Sequence, residues 1–166
     1  MGKNHEDGRD PFTEPVAGDG RAFAGIDHVG VLVRDLDAAI VLYVERLGMS
    51  LVWVEELAEV GVRLAYVDAG NTLIQLVQAT RPGPLVDELE RRGEGIHHLC
   101  LGVEDIPTAL ARLAPGAAVP VVLGGRGRRA CFLPDRPGGL RVELTELRQW
   151  AEREAETVAT TTEGGQ

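Results

Sequence analysis

Ten residues near the start of the chain, Ile26-Asp27-His28-Val29-Gly30-Val31-Leu32-Val33-Arg34-Asp35, return 70 positions later as Ile96-His97-His98-Leu99-Cys100-Leu101-Gly102-Val103-Glu104-Asp105. The two runs align without a gap. Isoleucine, histidine, valine and aspartate coincide at Ile26/Ile96, His28/His98, Val33/Val103 and Asp35/Asp105, and Ala39/Ala109 extends the match. Such a repeat constrains the fold more than any other feature, because each copy is one supersecondary unit that cannot bury its apolar face alone. The simplest burial is against the other copy.

The pattern around each copy is β-α-β-β-β. Apolar alternation and turn residues predict strands over 25–33, 50–55, 62–68 and 71–78, with a helix over 35–47 that opens at Asp35 and stops at Gly48. A connecting helix over 82–92 ends at Gly93. The second unit repeats the order with strands over 96–104, 118–123, 129–133 and 140–146 and a helix over 106–113. The expected fold is α+β: two tandem βαβββ modules, 25–78 and 96–146, forming one pseudo-symmetric domain with a cleft between curved sheets. Residues 1–24, rich in Gly, Asp, Glu and Pro without a period, read as a disordered leader. Residues 147–166 read as a C-terminal helix and tail, the helix opening near 146.

At 166 residues the chain suits one domain. A net charge of −9 argues against a nucleic-acid partner, whose binding needs basic surface. No apolar run reaches the roughly 20 residues that span a bilayer. Cys100 and Cys131 lie in apolar strands and read as buried thiols of a reducing compartment, so the expected location is the cytoplasm.

The repeat separates the two histidines of Ile96-His97-His98. His98 has a counterpart in His28, whereas His97 aligns with Asp27. Equivalent strand positions point both His28 and His98 at the shared cleft, and alternation turns His97 and Asp27 the other way. The last strands add a second matched pair, Gln75 between Ile74 and Leu76, and Glu143 between Val142 and Leu144. A buried polar side chain in such a setting costs several kcal/mol unless it is paired or ligating. Two imidazoles, one amide and one carboxylate suit a divalent first-row metal (Co, Mn, Ni, Zn or Fe) better than calcium. Such a centre leaves room for two substrate oxygens and stabilises an enolate, with a carboxylate at its edge to move a proton. His97 reads as structural support. The arginines Arg126, Arg128 and Arg129 read as a solvated loop, with capture of an anionic substrate tail as the alternative.

These residues resemble the vicinal oxygen chelate superfamily, and within it the methylmalonyl-CoA epimerases. The likeness is carried by Ile26-Asp27-His28-Val29-Gly30, Gly61-Val62-Arg63, Gly70-Asn71-Thr72 with Gln75-Leu76, and Arg92-Gly93-Glu94-Gly95-Ile96-His97-His98. The resemblance implies a metal held by His28, Gln75, His98 and Glu143. It also implies Glu143 as proton carrier, a small-molecule substrate of acyl-CoA type, and a homodimer. Leu64 stands where some epimerases carry a second glutamate, and Leu133-Pro134-Asp135 stands where the family has His-Pro-Lys. The implied reaction is inversion at C2 of methylmalonyl-CoA or a related 2-substituted malonyl thioester. The alternatives are a diverged isomerase, cyclase or lyase on another enolisable substrate, and a resistance protein that sequesters its ligand.

Overall fold

The computed structural model describes residues 23–147. Eight strands form one sheet: β1 (Gly25–Leu32), β2 (Ser50–Leu57), β3 (Val62–Asp68), β4 (Leu73–Ala79), β5 (Gly95–Val103), β6 (Val122–Leu123), β7 (Arg129–Phe132) and β8 (Val142–Glu146). Three helices accompany them, α1 (Leu36–Val41), α2 (Pro84–Arg92) and α3 (Ile106–Leu113). The spatial order β2-β3-β4-β1-β5-β8-β7-β6 shows the two βαβββ modules as mirrored halves. In each, the first strand runs parallel to the last, β1 with β4 and β5 with β8. The expected pair of sheets is thus one continuous sheet, fused where β1 and β5 pair antiparallel.

That sheet curls until its flanks meet. Glu55 in β2 accepts a hydrogen bond from the backbone N–H of Arg126, in the turn between β6 and β7 at the other end of the strand order, at 2.8 Å. Gly125 makes the meeting possible. A Cβ there would lie 1.9 Å from the Tyr66 hydroxyl.

The repeated aspartates have the same local task. Asp35 accepts from the N–H of Ala38 at 3.0 Å and Asp105 from that of Thr108 at 2.8 Å, each capping the helix it precedes. A second matched device anchors each helix to its sheet. Gln78 accepts from Leu36 N and from Arg63, and Glu146 accepts from Ile106 N at 3.1 Å and from Arg129 at 3.3 Å. Glu146 is fully buried. Replacing it by alanine strips a carboxylate from a guanidinium and a helix terminus, and is expected to cost about 3 kcal/mol in urea-unfolding free energy.

Besides shifts of one or two residues at several ends, three departures from the periodicity matter. The first helix is α-helical only to Val41 and then widens into a π-turn over Leu42–Arg46, closed by Leu47 N to Leu42 O at 3.1 Å. The strand expected over 118–123 pairs only at Val122 and Leu123, since Pro120 has no N–H to offer a ladder. Ordered packing also begins before 25: Ala24 N bonds to Gly102 O, and Phe23 packs on the second module's core. Most of the leader, and the helix expected from 146, lie outside the described residues.

Pairing between β1 and β5 slips at two places, leaving Asp27 in one strand and His97 in the other without a partner opposite. Each is a β-bulge, and each directly precedes a histidine of the repeat. A bulge breaks the period of two, so alternation past it no longer predicts which face a side chain takes.

Candidate metal centre

His28, His98 and Glu143 converge. Nε2 of His28 lies 3.2 Å from Nε2 of His98, and Oε2 of Glu143 lies 3.3 Å from the first and 3.4 Å from the second. Metal–ligand bonds of about 2.1 Å place neighbouring ligand atoms about 3.0 Å apart in an octahedron and about 3.4 Å apart in a tetrahedron. The triangle therefore fits three ligands of one first-row divalent ion. Both imidazoles are buried, and Glu143 is nearly so.

Gln75 stands in β4 opposite Gly30 and lines the same cavity as His98 and Glu143. Its Nε2 donates to the Tyr66 hydroxyl at 2.6 Å, which leaves Oε1 as the atom to serve a ligand. Burial pushes the Tyr66 hydroxyl up to about 12, so it stays protonated beside the amide. Gly30 leaves the space that His98 occupies: a Cβ there would meet the imidazole Cε1 at 2.0 Å.

The bulges supply the supports. Asp27 Oδ1 accepts from Nδ1 of His28 at 2.8 Å, so His28 keeps its proton on Nδ1 and presents a lone pair at Nε2. His97 turns inward with His98, their Nδ1 atoms 2.8 Å apart. The expectation that His97 and Asp27 face away is thus corrected, and the cause is the extra residue in each strand. Burial pulls the His28 imidazole down, but hydrogen bonds to Asp27 and Glu143 outweigh it and hold its pKa above the ordinary value. Burial likewise would raise Glu143, yet its bonds to His28 and His98 hold it well below the usual carboxylate range.

Burial, then the adjacent His98 and Arg141, push His97 down to about 4 from 6.5. Between those values the unfolded chain binds the proton and the folded chain does not, so this group makes stability rise with pH from about 4 to about 6.5. Ring NMR of His97 is expected to show a neutral imidazole from pH 8 to 5 and a midpoint near 4. A midpoint at 6 or higher would contradict that environment.

The arginine loop is not solvated. Arg126 and Arg128 both pair with Asp27, the latter at 2.8 Å, and the Arg126 guanidinium lies 4.8 Å over the Tyr66 ring. Arg126 holds a left-handed backbone, φ 59°, to make this reach. Asp27, His28 and Cys100 also approach within ligand distance of one another. That grouping suits a metal less well, because two guanidinia occupy Asp27 and burial drives the Cys100 thiol far from its thiolate form. Cys100 and Cys131 are free and buried, as expected.

The cavity over the triangle measures about 490 Å³. Its first-module wall is apolar, with Val62, Leu64 and Val77 beside Gln75, while His97, Phe132, Arg141 and Glu143 line the other side. Sequence reasoning missed Tyr66, Gly30 and Arg141. The last stands two residues before Glu143, the spacing that puts two strand residues on one face, and that signal was available.

A curled sheet of two βαβββ halves with buried His, His and Glu at its centre defines a class, and comparison agrees. Residues 27–132 match the model of the Glyoxalase/Bleomycin resistance protein/Dioxygenase superfamily, and the chain belongs to it. The chain is 33% identical over 131 residues to ethylmalonyl-CoA/methylmalonyl-CoA epimerase of Cereibacter sphaeroides, covering 74% of this chain and 97% of that one. It is 31% identical over 128 residues to human mitochondrial methylmalonyl-CoA epimerase, 73% of each chain. The crystal structure of methylmalonyl-CoA epimerase from Mycobacterium tuberculosis superposes with a TM-score of 0.72 at 31% identity, covering 81% of this chain and 95% of that one.

Proposed function

We propose that the chain is a metal-dependent epimerase that inverts C2 of methylmalonyl-CoA or a related 2-substituted malonyl thioester. The observation that carries this reading is the triangle of His28, His98 and Glu143 at the base of a cavity, in a chain whose relatives include epimerases of that kind. His28, Gln75, His98 and Glu143 would hold a divalent ion (Co, Mn, Ni, Zn or Fe). The ion would supply positive charge against the negative charge that develops on the substrate oxygens when C2 loses its proton.

Asp27 and His97 orient the two imidazoles, and the curl of the sheet encloses the reacting carbon. Glu143 is the one carboxylate among the described residues lining the cavity, and it takes the C2 proton. Return of a proton to the opposite face falls to water, because that wall presents Leu64 and no second carboxylate lines the cavity among the described residues. The same observation favours a second reading, a diverged enzyme of this superfamily acting on another enolisable substrate.

We place the protein in the cytoplasm as a homodimer of one domain, 25–146. No helix among the described residues is long and apolar enough to cross a membrane. Metal analysis of the purified protein, followed by proton NMR of deuterium entry at C2 of methylmalonyl-CoA, tests the proposal. Substoichiometric metal would sink it. Bound metal without exchange would remove the malonyl thioester and leave the second reading.

A further inference from the structure

Arg141 has no part in the reading above, yet its charge lies inside the cavity. It stands two residues before Glu143, directly ahead of β8, both line the same space, and its guanidinium stacks 5.0 Å over the Phe132 ring. Neutralising Glu88 does not account for it. Glu88 already holds Arg92 at 3.0 Å one helical turn on, while Arg141 stands 3.7 Å away.

The hydrogen bonds around Arg141 show when it is available. Arg141 Nη1 lies 2.5 Å from Nε2 of His97 and can only donate, so the His97 proton sits on Nδ1, facing Nδ1 of His98. A His98 that gives its Nε2 lone pair to a cation carries its own proton on Nδ1. His97 must then accept at Nδ1 and carry its proton on Nε2, where the Glu88 carboxylate lies 3.8 Å away. Arg141 cannot donate to a protonated nitrogen. It is released from His97, with the open cavity in front of it.

We infer that Arg141 is a substrate-binding residue that recognises an anionic group, carboxylate or phosphate, separate from the oxygens held at the metal site. The inference rests on the metal-site reading but not on the thioester. Arg141 and Glu143 start two residues apart, about 7 Å along an extended backbone, so the second anion belongs near the enolisable end of the substrate. The phosphates of a coenzyme A thioester lie a whole pantetheine arm away and are too distant. Among 2-substituted malonyl thioesters, or other enolisable substrates, the site thus favours one whose substituent carries a second acid group a few carbons from the reacting carbon, which narrows the substrate class.

The test compares two oxo acids of equal chain length on the cobalt-loaded protein, 2-oxoglutarate with a distal carboxylate and 2-oxopentanoate without one. Affinities are read by calorimetry and by the cobalt absorption spectrum. A charge-assisted contact predicts that the diacid binds at least about tenfold tighter, and that Arg141→Gln brings the ratio to within about twofold of unity. Equal affinity in the unaltered protein overturns the inference without need of any variant, as does a preference that survives Arg141→Gln. If neither acid binds or perturbs the cobalt spectrum, the metal-site reading falls and this inference with it, a pattern distinct from equal binding of both.

Discussion

Gly30→Ala is expected to abolish tight metal binding although it alters no ligand. Gly30 sits at the junction of the modules, paired with His98 on one side and Gln75 on the other. A methyl group there would stand 2.0 Å from Cε1, 2.3 Å from Nδ1 and 2.6 Å from Nε2 of His98, so the ring must leave its place. It has nowhere close to go, since His97 and Phe132 meet it edge-on at centroid distances of 5.1 and 5.4 Å. Losing one ligand's orientation is expected to lower cobalt affinity by more than about 100-fold. Overpacking at the sheet centre should cost about 2 kcal/mol of stability. Cobalt titration calorimetry beside urea unfolding separates the effects. A folded Gly30→Ala protein with unaltered metal affinity would show that His98 is not a ligand.

Glu143→Gln is the second large effect, and it divides holding from proton transfer. The amide keeps an oxygen where the carboxylate had one, so the variant should still take up metal at raised concentration, with weaker affinity for want of the charge. What it cannot do is accept a proton at C2. Removing a positioned base costs about 10²–10⁴-fold, so C2 exchange at saturating metal is expected to fall by about 10³. Glu143 is suited to the task because its hydrogen bonds to the two imidazoles keep it ionised despite burial. Exchange at the unaltered rate in Glu143→Gln would assign the proton to another group.

Much of the candidate site was legible in the residues because a duplicated unit writes each of its positions twice. His28 and His98 stand out by their offset, and Gln75 and Glu143 by their matched places late in the last strand of each module. Asp35 and Asp105 repeat for a different reason, as caps of α1 and α3. The two bulges could not be read the same way. Asp27 and His97 sit in strands whose alternation is otherwise regular, and the extra residue is defined only by the partner strand opposite. Arg126 and Arg128 looked like exposed loop residues because their partner, Asp27, belongs to the other module and is reached only when the sheet curls.

The amino-acid order by itself determined the two βαβββ modules, the helix caps and the four side chains that face the cleft, since these follow from local periodicity and from the repeat. Tertiary structure alone decided that the modules fuse into one sheet through β1 and β5, that bulges turn Asp27 and His97 onto the imidazoles, and that Arg141 and an apolar Leu64 wall shape the cavity. Those outcomes depend on strand register and curvature, which arise only when segments distant in the chain pair with one another.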